Sequence, residues 1–129
     1  MQRIGRAGPV VLLCLMGGLL LAPASAHEYD GTTVATVAYD SADDLWRGRV
    51  ASFEDPCERR RKVKLQKLDG DAWETVASTR SNRSGRWRIE MVDADGTFRV
   101  VVPARVKVTI EHDHRCDRYP SPSQQVGEK

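Results

Sequence analysis

The sequence lacks the usual marks of an enzyme. It has no Gly-x-Ser-x-Gly elbow, no phosphate-binding Gly-rich loop, no His-Glu-x-x-His pair and no Cys-x-x-Cys. Only three histidines are present, all outside the strand-like segments, so a nucleophile–base–orienter set has no natural location. No segment carries a 3.6-residue apolar period long enough for a confident helix. After residue 22 no apolar run approaches the roughly 20 residues needed to span a bilayer. These absences exclude the common catalytic motifs and helix-based architectures, and they call for no cofactor.

The N-terminus does carry an apolar run, over residues 9–22. It follows Arg3 and Arg6 and precedes Ala24-Ser25-Ala26. A positive start, a short apolar core and a small-x-small site make up a secretory signal peptide cleaved after Ala26. The sequence therefore predicts a secreted or extracytoplasmic protein with no transmembrane segment in its mature chain.

Excess charge of one sign is missing too. The full chain has 20 Lys+Arg and 18 Asp+Glu, and the signal carries two of the arginines and no acid. The mature chain is balanced, without the basic excess of a general nucleic-acid binder. Cysteine is scarce, and removing residues 1–26 also removes Cys14. Cys57 and Cys116 remain as an even pair, which in an exported chain reads as a disulfide. About 103 of the 129 residues remain, enough for one small domain with a modest core.

Short β-like runs separated by turn signals fill the mature chain. They are TTVATVAY (32–39), LWRGRVAS (45–52), KVKLQKL (62–68), WETVAST (73–79), RWRIEM (86–91), TFRVVV (97–102) and RVKVTIE (105–111). Alternation puts Trp46, Gly48 and Val50 on one parity, and likewise Val63 with Leu65, Trp87 with Ile89 and Met91, and Val106 with Val108 and Ile110. Pro56 breaks the chain before Cys57, Pro103 separates the last two runs, and Asp69-Gly70 and Asp95-Gly96 mark turns. These runs predict an all-β domain over residues 27–118, a single seven-stranded antiparallel β-sandwich. A polar Pro/Ser-containing tail over 119–129 is expected to be disordered.

The series Gly48-x-Val50-x-Ser52, Cys57-x3-Arg61-x-Val63-x-Leu65, Ser84-Gly85-x-Trp87-x-Ile89 and Gly96-x-Phe98 resembles carboxypeptidase regulatory-like domains. These are prealbumin-like (transthyretin-like) β-sandwiches common in secreted bacterial proteins. The resemblance covers residues 45–116. It implies a fold and an accessory role, in some relatives carbohydrate binding, and no chemistry of its own.

Three groups of residues are candidates for function. The run DPCERRRKVKLQKLDGD (55–71) is basic, and alternation gives Lys62 and Lys64 the ordinary task of wetting one strand face. Arg59, Arg60 and Arg61 are not needed by that pattern. They are the expected contact for a polyanionic partner such as an envelope polymer or sulfated glycan. His27, the mature N-terminus after cleavage at Ala26, offers an amine and an imidazole; with His112 and His114 it forms a nitrogen-rich donor set suited to Cu(II) or Zn(II). Were the first and last strands paired in parallel, His27 would sit at the start of the last strand. The His pair would then lie about 20 Å away. Surface histidines are therefore the preferred reading. Trp46 and Trp87 belong to the core, whereas Trp73, flanked by Asp71 and Glu74, is a candidate carbohydrate platform. The leading expectation is a disulfide-stabilised, non-catalytic structural or binding module of the cell envelope or extracellular space.

Overall fold

A computed structural model describes residues 28–110 and 113–127. The cleavage site and His27 lie outside these residues, as does His112. The described chain is all-β. Its strands are β1 (Glu28–Gly31), β2 (Val34–Ala35), β3 (Ala38–Asp40), β4 (Leu45–Ala51), β5 (Lys62–Asp69), β6 (Ala72–Arg80), β7 (Arg86–Glu90), β8 (Gly96–Val102), β9 (Arg105–Val108), β10 (Asp113–Cys116), β11 (Tyr119–Pro120) and β12 (Gln124–Val126). A single 3-10 turn, Asp55–Cys57, carries Pro56 in its first positions, where a missing N–H costs nothing.

The strands form three sheets. One holds β6, β5 and β8 in that order, with β11 and β12 both on the outer edge of β8. The second has β4 at its centre, with β2 and β3 along one edge and β7 along the other. Inward side chains of both sheets form one apolar core. Trp46, Val50, Trp87 and Ile89 come from the second sheet, and Val63, Leu65, Phe98, Val100 and Val102 from the first. The rings of Trp46 and Phe98 meet across the sheets at 5.0 Å between centroids, a tilted contact that holds the layers together. The alternation in β4, β5 and β7 thus translates directly into burial, because the side-chain period is two.

The third sheet, β1–β10–β9, departs from the expected sandwich. Residues 28–31 pair in parallel with 113–116, and β9 runs antiparallel to β10. With twelve strands among the described residues and one parallel pair, the arrangement exceeds the simple seven-stranded antiparallel layout. Among the described residues β9 has no partner on its outer edge. Val106 and Val108 on it are 60% and 74% exposed, and Ile110 beyond it is fully exposed, so this apolar stripe does not line the core. Pro103, which has no N–H to offer a ladder, ends β8 and lets the chain leave the core sheet before β9 begins. The period-2 pattern of 105–111 records a strand, but one outside the main core.

The tail expectation is likewise corrected. Tyr119–Pro120 pairs with Val101–Val102, and Gln124–Val126 pairs with Gly96–Phe98. The Ser121 hydroxyl accepts from the Val100 N–H at 2.9 Å, and the Ser121 N–H donates to the Val100 carbonyl at 2.8 Å. A polar, Pro-containing segment is ordered here because β8 would otherwise expose an unpaired edge.

Cys57 and Cys116 form the expected disulfide, their Cα atoms 5.3 Å apart and 59 residues apart in sequence. It joins the 3-10 turn to the end of β10. The close approach of β1 depends on Gly31, where a Cβ would lie 2.7 Å from the Cys57 sulfur. Closing so long a loop contributes about 4 kcal/mol in the chain-entropy model. Urea unfolding with and without reductant should therefore differ by about 4 kcal/mol; coincident curves would contradict this.

Candidate cationic site at the disulfide end

Antiparallel strands return the chain repeatedly to the same two ends, and the charges divide between them. The turns at one end carry Asp40, Asp43 and Asp44, then Asp69 and Asp71, then Asp93 and Asp95. The segments at the other end are 52–61, 80–86, 103–105 and 117–118, and they hold most of the arginines. A chain with balanced total charge thus presents a strongly cationic end beside the disulfide.

The loop from Pro56 to Arg61 is shaped by two guanidinium groups. Arg61 is 1% exposed, so its assignment to a surface anion contact is corrected. One of its terminal nitrogens donates to the Thr33 hydroxyl at 3.1 Å and the Cys57 carbonyl at 2.7 Å. The other donates to the Pro103 and Asp117 carbonyls at 2.9 and 3.0 Å. Its backbone N–H donates to the Ser81 hydroxyl, which in turn donates to the Glu58 carbonyl. Arg61 is therefore a structural clamp satisfied by neutral acceptors, and only a planar fork reaches four of them at once. Burial, with the nearby charge of Arg105 adding to it, pushes its pKa down to about 10, partly offset by Asp117. It stays cationic at neutral pH.

Arg105, at the start of β9, does the same for the outer part of the loop. It donates to the carbonyls of Pro56, Arg59 (3.1 Å) and Arg60 (3.3 Å). Burial and the charge of Arg80 both push its pKa down. With the loop's carbonyls drawn toward Arg105 and Arg80, the side chains of Arg59 and Arg60 are exposed to solvent. Arg60 has φ of 50°, a left-handed conformation that costs a non-glycine residue roughly 1–2 kcal/mol. Strain of this kind persists where the surroundings over-determine it.

Arg59, Arg60 and Arg105 border an open depression of about 480 Å³, together with Arg83, Val106 and Lys107. Five cations from three separate chain segments meet there. Three acids at this end are engaged locally: Asp55 pairs with Arg59 at 3.2 Å, a Glu58 oxygen accepts from the Ser52 N–H at 3.0 Å, and a Glu54 oxygen lies 3.4 Å from His114 Nδ1. Arg60, Arg83 and Lys107 make no ion pair among the described residues. Arg83 is carried by the 81–85 loop, which closes on Gly85 at φ 82°. A Cβ there would strike the Val50 carbonyl at 2.1 Å.

Sequence reasoning found Arg59 and Arg60, and missed Arg83, Arg105 and Lys107. Arg83 stands in the RSNRSG turn and the other two on what reads as the wet face of a strand. Only the topology brings them to one place.

The other candidates stand elsewhere. Trp73 is half-buried on the outer face of the β5–β6–β8 sheet. A bulge in β6 puts it there: Leu65 faces Ala77 but Gln66 faces Thr75, so Val76 is skipped and the parity reverses. The Arg99 guanidinium lies over its ring at 4.3 Å and donates to Gln66 at 2.9 Å, covering the face a sugar would stack on. Among the histidines only His114 is described; its side chain is 13% exposed. The first strand does pair in parallel, but with β10 and not with the expected last strand at 105–111; Glu28 stands opposite Asp113 and Tyr29 opposite His114. His114 therefore lies beside the second residue of β1, not a whole strand away from it.

No protein-family model, no characterised protein and no solved structure matches this chain, so the site rests on its own geometry.

Replacing Arg61 by Met should strand the Cys57, Pro103 and Asp117 carbonyls and cost about 3–5 kcal/mol in chemical unfolding with the disulfide intact, comparable to breaking a buried charged pair. A loss under about 1 kcal/mol would contradict the clamp assignment.

Proposed function

We propose that the protein is an exported, non-catalytic β-sandwich module that binds an anionic polymer of the cell envelope or extracellular space at its disulfide end. It would resemble carboxypeptidase regulatory-like domains in fold and accessory role. The observation that carries this reading is the depression bordered by Arg59, Arg60, Arg83, Arg105 and Lys107, where Asp55 is the one carboxylate among the described residues paired to a member. Guanidinium forks match carboxylate, sulfate and phosphate in a bidentate manner, and the clamps at Arg61 and Arg105 hold the presenting loop before any ligand arrives. The disulfide supports an oxidising, extracytoplasmic setting.

The test uses Arg60→Gly, which removes one charge and relieves a left-handed residue. Retention on immobilised heparin should weaken while thermal stability holds or rises, by up to about 1 kcal/mol. A double change, Arg60→Ser with Arg83→Ser, should reduce affinity roughly tenfold and flatten the salt dependence by about two in log–log slope. Wild-type retention in both variants would overturn the reading.

A second reading is favoured by the β1–β10 register. Glu28 opposite Asp113 brings alongside each other the chain segments that follow His27 and His112, with His114 one position further on. Copper or zinc binding by these histidines predicts one Cu(II) per secreted chain, with a nitrogen-coordinated EPR signal weakened by His114→Ala. No stoichiometric binding, or a signal indifferent to that change, would remove it.

A further inference from the structure

The depression at the disulfide end has a neighbour. On the outer face of the second sheet, Arg47 of β4 stands directly opposite Arg88 of β7, and Arg49 opposite Arg86. All four side chains are exposed, because Trp46, Val50, Trp87 and Ile89 take the inward parity of the same strands. Like charges facing each other across a strand pair destabilise it, so nothing in the fold calls for this two-by-two array. It is only partly compensated. Arg47 pairs with Asp40 at 3.2 Å, and Arg49 donates to the Ser84 carbonyl at 3.1 Å. Arg86 and Arg88 make no side-chain hydrogen bond or ion pair among the described residues.

The array lines an open depression of about 610 Å³ that also takes in Arg80 and Asn82. Those two residues join it to the first site. Arg80 donates to the carbonyl of Arg60, and Asn82 is followed in the chain by Arg83; both Arg60 and Arg83 border the terminal depression. The 80–86 segment therefore straddles two cationic surfaces that meet along it.

We infer that the two depressions form one track for a linear acidic polysaccharide, a chain with an anionic group on successive units, running from the arginine array across Arg80 to the disulfide end. This rests on the reading of the disulfide end as a polyanion site and specifies its ligand. Regularly spaced planar forks suit a regularly charged chain, with neighbouring guanidinium pairs about 7 Å apart along the strands. Single-stranded nucleic acid is disfavoured because its binders supply aromatic stacking platforms. Here Trp46 is fully buried, and Trp87, although it lines the array's depression, is only 4% exposed and offers no open ring face to a base. The array also supplies what a short terminal site lacks, namely a dependence of affinity on ligand length, because a chain held at both clusters gains from effective concentration.

The experiment compares the full secreted protein with Arg86→Ser/Arg88→Ser by calorimetry. The probes are size-fractionated oligogalacturonate and heparin fragments, with an oligothymidylate of matched charge. Fragments too short to reach both clusters should bind the two proteins alike. Long polysaccharide chains should bind the variant about tenfold more weakly, with a salt slope lower by about two. A melting temperature that is unchanged or raised, as relief of facing like charges allows, ties the loss to the surface and not to folding. Equal long-chain affinity and slope in both proteins would overturn the track while leaving the terminal site standing. Tighter binding of the oligothymidylate than of either polysaccharide would overturn the ligand class. Failure of the wild type to bind any anionic polymer would instead overturn the terminal site itself.

Discussion

The buried guanidinium of Arg61 is the interaction on which the rest of this end of the molecule depends. Four acceptors converge on it from four separate segments: Thr33 after β1, Cys57 at the 3-10 turn, Pro103 after β8 and Asp117 after β10. A carboxylate partner would have neutralised it. Carbonyls satisfy its donors and leave its charge, so the cation is retained in a place where burial opposes it. The disulfide performs a covalent version of the same task a few ångströms away, and the two together set the loop that presents Arg59 and Arg60.

Much of the fold is legible in the sequence, because burial on one face of a strand leaves a period-2 record. Trp46, Val50, Val63, Leu65, Trp87 and Ile89 are where alternation puts them, and Cys57 and Cys116 pair as parity of number and export predict. The failures have identifiable causes. Val106 and Val108 alternate faithfully yet face solvent, since alternation identifies a strand without identifying what covers it. Trp73 reaches the outer face through a one-residue bulge that composition does not announce. Residues 119–126 look like a linker in composition but complete the edge of β8 through backbone bonds, to which side-chain hydropathy is blind.

The candidate site was half legible, and the missing half shows a general limit of charge counting. Net charge is a sum, and an antiparallel fold sorts its turns to two ends regardless of that sum. Balanced totals argued only against a general nucleic-acid binder and could not show where the charges gather. The turns carrying Asp40 to Asp44, Asp69, Asp71, Asp93 and Asp95 nonetheless lie away from the arginine-bearing loops. An adjacent run such as Arg59-Arg60-Arg61 was visible in one dimension, yet its members divide between surface and interior. The true neighbours, Arg83, Arg105 and Lys107, come from elsewhere in the chain.

The parallel pairing of β1 with β10 carries a consequence for how the protein is made. The first described strand has no hydrogen-bonded neighbour until residues 113–116 exist, and the sulfur of Cys57 waits equally long for that of Cys116. Such long-range closures are slow, and they come late relative to synthesis. The two core sheets can close without β1 or β10, whereas the β1–β10–β9 sheet and the disulfide wait for residues 113–116. The topology therefore divides folding into an early core and a late closure of the cationic end.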